Sequence, residues 1–490
     1  MLLAQLLGPD IMVPPEARRL FVTGLSADSR VVAPGFVFAA LPGSRTDGAS
    51  FLNEAVARGA VAVIAGRDTV VPSTLPVPVL RTENPRRELA LMAARFYPRQ
   101  PETAVAVTGT SGKTSVADFT RQIFSAAGFA AASVGTIGVV RPEGAVYGSL
   151  TTPDPVSLHQ TLEELAETGV THLAVEASSH GLDQYRLDGV RLTAAAFTNL
   201  GRDHLDYHPS VEHYLRAKLR LFEALLRPGQ TAVVNTDGAM SETVADAARA
   251  RGLRVLLVGR SGNPLRLESS ERDGFRQRLR IRHPGGTRSI VLPLIGGYQV
   301  ENALVAAGLA MASGIPTLTA LDALETLKGV PGRLEIVGEH RGALVVVDYA
   351  HKPEALKAAL DGVRPFVSGK LYCLFGCGGD RDRGKRPIMG GIAAEHADRV
   401  IVTDDNPRSE EPASIRTEIL SGIPAGVQRR VKEIGDRRQA IDTSVAALKP
   451  GDVLVIAGKG HETGQIVGDK TLPFSDHEVA REAIARGGGQ

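Results

Sequence analysis

An apolar strand that runs directly into glycines, a lysine and two hydroxyls is built to bind phosphate, and AVAVTGTSGKTS (104–115) has that form. Gly109 and Gly112 let backbone N–H groups turn toward an anion, and the N-terminus of the following helix adds a partial positive charge. Lys113 can reach the outer phosphates, and the hydroxyl of Thr114 or Ser115 can ligate Mg²⁺. The spacing departs from GxxxxGK[ST], because Val107 stands five residues before Gly112. A tighter loop than the usual one is therefore expected.

Two further strand ends carry groups of the right kind. HLAVEASSHGLDQYR (172–186) ends its strand on Glu176, and FTNLGRDHLDYH (197–208) delivers Asp203 and His204. Open α/β sheets place ligands at the carboxyl ends of their strands, and oxygen and imidazole ligands suit Mg²⁺ or Mn²⁺ bridged to phosphate. Lys218 lies in VEHYLRAKLRLFEALL among Tyr214, Leu215, Leu219 and Phe222. Its plain reading is a lysine with its stem packed and its ammonium in water. A desolvated lysine has a lowered pKa, however, and its neutral amine could take up CO₂ to give a carbamate that binds a second metal.

A third group of loops is basic and glycine-rich. DYAHKPEAL (348–356), GCGGDRDRGKR (376–386), DDNPRSEEP (404–412) and GKGHE (458–462) each follow an apolar strand. Arg381, Arg383, Lys385, Arg386 and Arg408 at neighbouring strand ends would make a site for carboxylates or phosphates. Asn-Pro and Gly-Gly are also ordinary turn signals, so solvated loops are the alternative.

The elements that must position these groups follow from periodicity. Leu89, Met92, Ala93 and Phe96 recur at helical spacing until YPRQPET (97–103) interrupts them, which marks a first domain boundary. Beyond it, strands 104–108, 172–176, 194–200 and 231–235 alternate with helices, one of them directing Val116, Phe119, Ile123 and Phe124 inward, so a mainly parallel sheet is expected. Residues 255–294 change character. Arg276, Arg278, Arg280 and Arg282 alternate with apolar residues, which predicts an antiparallel insertion with a solvated arginine face. After VPGR (330–333) four strands, ALVVVDYA, KLYCLFG, RVIVTDD and DVLVIAG, each lead into a loop and helix, a doubly wound pattern. The expected fold is thus α/β with three domains: 1–98, a central phosphate-loop domain at 99–330, and a Rossmann-like domain at 331–490.

Composition limits the function classes. The 490 residues carry a net charge of +2, with 43% hydrophobic and 22% charged residues, so no general basic field draws the chain to nucleic acid or anionic membrane. Cys373 and Cys377 are the only cysteines, which excludes a disulfide framework and points to a reducing, cytoplasmic setting. MLLAQLLGPD lacks the basic start and cleavage site of a signal peptide. The uncharged run after Arg121, from Gln122 to Val140, is broken by glycines and reads as helix, turn and strand rather than a membrane span.

Taken in order, TGTSGKTS, TTPDP, EASSHGL, TNLGRDHLDYH, AKLRLF, PGRLE, DYAHKPEAL, FGCGGDRDRGKR, DDNPR and AGKGHE resemble the Mur ligases, together with DSR at 28–30. The resemblance runs essentially end to end and is nearest the branch that adds meso-2,6-diaminopimelate. It implies a UDP-substrate domain, a central ATPase and a C-terminal domain that brings the amino acid. By matching motif, Ser29 would hold the nucleotide end of UDP-N-acetylmuramoyl-L-alanyl-D-glutamate, and Thr151, Thr152, Ser178, Gln184 and Arg186 its muramoyl-peptide part. The loop Gly109, Thr110, Ser111, Gly112, Lys113, Thr114 and Ser115 would serve ATP and Mg²⁺, with Glu176, His204 and a carbamylated Lys218 as metal ligands. Asn302, Arg333, Asp348, Tyr349 and His351 match positions that address ATP. Arg381, Asp405, Asn406, Pro407, Arg408, Gly458 and Glu462 match the diaminopimelate set. Ser111, Lys352 and YQVEN (298–302) depart from the usual Asn, Thr and FNVxN.

The implied reaction is ATP-driven amide formation through an acyl phosphate by a cytoplasmic monomer. Two anions, carboxylate and triphosphate, must be forced together, which explains why a lysine and several metal ligands surround one glycine loop. A lysine-adding sister ligase or a folylpolyglutamate-type ligase would share the ATPase centre but should lack the Arg of DNPR. A nucleotide-switch protein is a rival of a different class.

Overall fold

The computed structural model describes residues 1–9, 11–43, 47–146, 150–204 and 207–487. The chain divides into two compact units, Met1–Arg266 with Leu304–Ala323, and Leu267–Ala303 with Leu324–Gln490.

The first unit holds two sheets. Strands Gly24–Ser26, Phe36–Ala40, Ala62–Gly66 and Val79–Thr82 pair in chain order, all parallel. The helix Pro85–Phe96 follows because Asn84 caps it, accepting from Arg87 N at 3.0 Å, and Pro85 occupies its first turn. Leu89, Met92 and Ala93 are buried as their spacing predicts. In the second sheet Thr103–Thr108 lies between His172–Glu176 and Leu192–Phe197, with Ala131–Gly135 beyond the former and Thr231–Asn235 then Arg254–Gly259 beyond the latter, all parallel. Its strands read as continuous apolar runs because both faces are covered. Helix Lys113–Ala126 buries Val116, Phe119, Ile123 and Phe124 completely.

Three sequence expectations need correction. The strand expected over 194–200 ends at Phe197, because Thr198 and Asn199 turn aside to hold the glycine loop at Ser111. The change of character placed at 255 comes later, since Arg254–Gly259 still pairs parallel with Thr231–Asn235. The antiparallel part is the hairpin Arg276–His283 with Gly286–Leu292, in the second unit, where Arg278 pairs with Asp273, and Arg280 and Arg282 with Glu268 on an exposed face. Finally, the fourth strand of the C-terminal region leads first into a small hairpin, Gly464–Val467 with Lys470–Pro473, and only then into helix Asp476–Gly487.

The second unit is built on a six-stranded sheet. Its order is Glu335–His340, Ala343–Asp348, Val453–Ala457, Leu371–Phe375, Arg399–Val402 and Val431–Glu433, with only the first strand antiparallel. Leu344, Val346, Cys373 and Phe375 pack on one face, and Val345, Val347, Leu374 and Ile456 on the other. Both cysteines are free, buried and pushed above the usual thiol range by that burial, so they serve as core residues. No helix among the described residues is long and apolar enough to cross a membrane.

A fully buried ion pair fixes the loops at the carboxyl ends of this sheet. Arg437 Nε and Nη2 each donate to Asp476 at 2.7 Å, and both side chains are 0% exposed. The same guanidinium donates to Asp404 O at 3.3 Å and Ala457 O at 3.0 Å, the carbonyls just before two of the basic loops. Removing one partner of such a pair strands the other charge in the core. Asp476→Ala is expected to cost about 3–5 kcal/mol, read as an earlier denaturant transition by circular dichroism. A loss below about 1 kcal/mol would show that the pair does not hold this end of the unit.

Candidate active site

Parallel pairing brings the three chemistry-bearing strand ends of the first unit side by side. Val107 is in register with Glu176 and Thr108 with Phe197, so the residues that follow each strand emerge at one edge. Gly109 (φ 150°) and Gly112 (φ 87°) make the tight loop expected from the spacing, and the helix starts at Lys113. A Cβ on Gly109 would sit 1.9 Å from Thr198 Oγ1, so only glycine fits. Thr198 Oγ1 donates to Ser111 O at 2.6 Å, Asn199 Oδ1 accepts from Ser111 N at 3.0 Å, and Asn199 O accepts from Thr110 N at 2.9 Å.

Two lysines converge on that loop. Lys113 Nζ donates to Gly109 O and Thr110 O, both at 2.9 Å, and Lys218 Nζ donates to Gly109 O at 2.7 Å. Lys218 is 1% exposed and lies over the Tyr214 ring at 4.1 Å. Burial holds its pKa well below the usual lysine range, and the charge of Lys113 lowers it further, against a smaller opposing pull from Asp203. The snorkelling alternative is thus excluded. Tyr214 OH lies 3.2 Å from Thr110 Oγ1, and burial raises its pKa to about 12.

Glu176 is 1% exposed. Its Oε2 accepts from Thr114 Oγ1 and Thr136 Oγ1, both at 3.2 Å, and its Oε1 accepts from Thr136 N at 2.7 Å. Thr114 and Ser115 are buried at the head of the helix. His204 adopts a left-handed backbone (φ 54°), takes its N–H to Asp203 Oδ1 at 2.8 Å, and packs edge-on to His180 with centroids 4.8 Å apart. Leu205 and Asp206 of that motif lie outside the described residues. No group of three His, Cys, Asp or Glu side chains among the described residues is arranged to hold a metal ion. The donor chemistry nonetheless fits Mg²⁺, since a buried carboxylate and hydroxyl at a phosphate-loop helix are hard oxygen ligands that leave the remaining positions to phosphate and water.

A cavity of about 510 Å³ in the first unit is lined by Ser26, Asp28, Arg86, Asp154, Gln184 and Arg186, among others. Arg186 Nη1 donates to Thr152 O at 2.7 Å and its Nη2 to Gln184 Oε1 at 2.8 Å, which aims the guanidinium. Thr152 Oγ1 donates to Glu176 O at 2.7 Å and accepts from Ser178 N at 3.0 Å, while Thr151 Oγ1 lies 3.1 Å from Thr136 Oγ1. Thr151, Thr152 and Ser178 therefore brace the segment that carries Glu176. Ser29 Oγ donates to Glu54 at 3.0 Å, one residue beyond the cavity wall at Asp28.

The remaining expected nucleotide residues belong to the second unit. Asn302 Nδ2 donates to Gln299 Oε1 at 3.0 Å, and Gln299 Nε2 to Arg333 O at 3.0 Å. The Arg333 guanidinium lies 5.2 Å from the Tyr349 ring centre. Asp348 accepts from Leu334 N at 2.7 Å and Ala350 N at 2.8 Å, and burial raises its pKa to about 6 against the pull of Arg333. Burial likewise lowers His351 to about 4.

The residues expected to bind the amino acid gather at the same sheet's carboxyl edge. Asn406 Nδ2 donates to Glu462 Oε2 at 2.9 Å, Asp405 is buried against Gly458, and a Cβ there would meet Asp405 Oδ2 at 2.7 Å. Pro407 O lies where a Cβ on Gly379 would be, 1.9 Å away. Arg408 (φ 53°) donates Nη1 to Gly379 O at 2.9 Å and leaves Nε and Nη2 without hydrogen bonds among the described residues. Arg381 is exposed. The wider basic cluster is not a ligand site as a whole: Arg386 is fully buried between Glu410 and Glu418, Arg383 pairs with Glu418, and Lys385 Nζ donates to His351 O at 2.8 Å. Sequence reasoning also passed over Thr136, Thr198, Asn199 and Lys459. A Thr-Asn pair ending an alanine-rich strand and a lysine between two glycines were the available signals.

The chain matches "Mur ligase family, catalytic domain" over residues 21–97, "Mur ligase middle domain" over 107–310, and "Mur ligase, glutamate ligase domain" over 332–460. It is 57% identical over 489 residues to a UDP-N-acetylmuramoyl-L-alanyl-D-glutamate–2,6-diaminopimelate ligase of Bradyrhizobium diazoefficiens, covering 99% of each chain. A solved structure of a ligase of that name is 33% identical, with a TM-score of 0.75 and full coverage of both chains. The folylpolyglutamate synthase of Mycobacterium tuberculosis complexed with ADP is 18% identical at a TM-score of 0.61, over 75% of this chain and 90% of that one, a likeness of fold alone.

Gly135 gives a way to test the carboxylate. A Cβ there would fall 2.1 Å from Glu176 Oε1, so Gly135→Ala must displace the carboxylate from Thr114 and Thr136 while the strand persists. The Mg²⁺-dependent part of ATP affinity should drop about tenfold or more, with metal-free binding nearly unchanged, as calorimetry would show. Equal affinities in variant and wild type with Mg²⁺ would rule out Glu176 as part of the metal site.

Proposed function

The chain belongs to the Mur ligase family, and on that premise we propose that it joins meso-2,6-diaminopimelate to the D-glutamyl γ-carboxylate of UDP-N-acetylmuramoyl-L-alanyl-D-glutamate, driven by ATP, in peptidoglycan precursor synthesis. The proposal assigns residues 1–98 to the UDP end of the substrate, 99–330 to ATP and 331–490 to the amino acid, in a monomer acting in the cytoplasm. The observation that carries it is the placing of opposite charges on either side of Asn406: Arg408, with two donors that make no hydrogen bond among the described residues, and Glu462, whose Oε2 is held by Asn406. An amino acid with both an ammonium and a carboxylate at its far end matches that pair, and lysine leaves the arginine facing no anion.

In the reaction a γ-carboxylate oxygen attacks the γ-phosphorus of ATP, the bond to the bridging oxygen breaks, and ADP leaves. The amine nitrogen then attacks the acyl carbon, loses a proton, and expels phosphate. Lys113 holds its ammonium on the loop carbonyls 2.9 Å away and, on a flexible stem, exchanges them for phosphate oxygens, neutralising charge that would repel the carboxylate. Thr114, Ser115, Glu176 and His204 would hold Mg²⁺, which supplies further charge neutralisation when bound. Arg186, fixed by Thr152 and Gln184, orients the muramoyl-peptide in the 510 Å³ cavity. Asn302, Arg333, Asp348, Tyr349 and His351 would contact the nucleotide.

Lys218 would act as a carbamate. Its depressed pKa favours the neutral amine, whose nitrogen lone pair would add to CO₂ with loss of one proton to solvent, giving an anionic oxygen ligand. Lys218→Ala should abolish turnover and Lys218→Glu retain a little, while carbon-13 NMR with labelled bicarbonate should show a carbamate. Fully active protein with an unmodified lysine would refute the modification.

The substrate assignment is tested by ADP release with the UDP-muramoyl-dipeptide and diaminopimelate, lysine or ornithine. Only diaminopimelate should drive turnover well, because lysine lacks the far-end carboxylate that the half-buried Arg408 fork would bind. Arg408→Ala should raise the KM for diaminopimelate and narrow its advantage over lysine, with ATP affinity unchanged. A wild-type preference for lysine, or a ratio indifferent to Arg408, would overturn it.

A further inference from the structure

Lys459 is buried completely, yet none of the chemistry above uses it. Its Nζ donates to Asn406 Oδ1 at 3.1 Å and lies 2.9 Å from Glu462 Oε2. Asn406 Oδ1 also accepts from Ile466 N at 2.9 Å. With two N–H donors on its oxygen, the amide has one orientation, and its Nδ2 must face Glu462, to which it donates at 2.9 Å. Glu462 Oε2 thus takes two hydrogen bonds, while Oε1 makes none among the described residues. The Glu462 side chain is 33% exposed against 0% for Lys459. One carboxylate oxygen is therefore anchored from below and the other is presented.

The lysine itself cannot drift. Gly458 adopts φ 113° against Asp405, and Gly460 adopts φ 52° where a Cβ would lie 2.7 Å from Tyr349 Cβ, so the two glycines flanking Lys459 are wedged on both sides. Glu462 N donates to Lys459 O at 3.0 Å, which closes the loop into a single turn. A buried ammonium is expensive unless paired, and a lone surface glutamate would attract a substrate ammonium more strongly than one already neutralised. Its presence makes sense as geometry rather than affinity: it weakens the pull of Glu462 and fixes its direction.

We infer that Lys459 is a positioning residue for the amino-acid substrate, holding Asn406 and Glu462 Oε2 so that Glu462 Oε1 receives the far-end ammonium at a set point relative to Arg408. The inference rests on the function proposed above. Its consequence is stereochemical, because two fixed points, one for the ammonium and one for the carboxylate, together with the carbon chain that tethers the distal carbon to the reacting end, distinguish the two configurations of that carbon.

The experiment compares kcat/KM for meso- and LL-diaminopimelate in the full-length wild type, Lys459→Met and Lys459→Gln. Lys459→Gln keeps a donor for Asn406 while removing the charge. The meso preference should fall about tenfold or more in both variants, chiefly through KM for the meso isomer, with KM for ATP unchanged. A general weakening of the unit would lower both isomers together and leave the ratio intact, which would overturn the inference. A wild-type structure with meso-diaminopimelate gives a second test free of any variant. It supports the role if the substrate ammonium meets Glu462 Oε1 with Lys459 still on Oε2, and overturns it if Lys459 contacts the substrate directly. Wild type inactive with meso-diaminopimelate would refute the underlying function, whereas an active wild type with an unchanged variant ratio would refute only the role of Lys459.

Discussion

The carbonyl oxygen of Gly109 accepts hydrogen bonds from the half-buried Lys113 and the buried Lys218 at 2.9 and 2.7 Å, and two full ammonium charges on one oxygen repel each other where water cannot screen them. Burial resolves the conflict by favouring the neutral form of Lys218. The loop conformation that presents this carbonyl needs a glycine, because Thr198 occupies the space a side chain would take. Glu176, Thr114 and the supports at Thr136, Thr152 and Asn199 are all placed relative to that loop. The lowered pKa of Lys218 is thus a product of the fold's packing, with no special chemistry in the lysine itself.

The second unit solves a different electrostatic problem. On the proposed function, its carboxyl edge would show an arginine and a glutamate to the same small molecule. Backbone carbonyls occupy one nitrogen of Arg408, while Asn406 and Lys459 occupy one oxygen of Glu462, so among the described residues each keeps a face without a partner. Behind them Arg437 and Asp476 cancel within the core and tie down Asp404 O and Ala457 O. Buried ion pairs are weak sources of stability against apolar substitutes, and what they provide here is fixed direction for the loops above them.

Much of the fold was legible because parallel strands buried on both faces leave continuous apolar runs. HLAVE and TAVVN match their strands residue for residue. The alternating arginines of 276–282 announced an antiparallel hairpin with one wet face, and that is what forms. The strand at 194–200 was overextended because apolar periodicity cannot register that Thr198 and Asn199 are recruited by a loop nearly ninety positions away, a separation that only pairing to Ser111 reveals. Likewise the start of the antiparallel segment was set early, since Arg254–Gly259 is half-exposed yet still parallel.

By itself the sequence determined the chemistry available: a glycine loop with a lysine for phosphate, a glutamate at a strand end, and basic loops following apolar strands. Those readings depend on spacing within a few residues, which covalent geometry carries directly. It could not determine which charges are spent on one another. Arg381, Arg383, Arg386 and Arg408 look alike in a string, yet Arg386 is buried between two glutamates, Arg383 is held by Glu418, and Arg381 and Arg408 keep donors to offer. Lys218 and Lys459 are equally indistinguishable from surface lysines until the packed environment removes their water. Desolvation and partner choice are properties of residues distant in sequence brought within hydrogen-bond reach, and only the tertiary structure decides them.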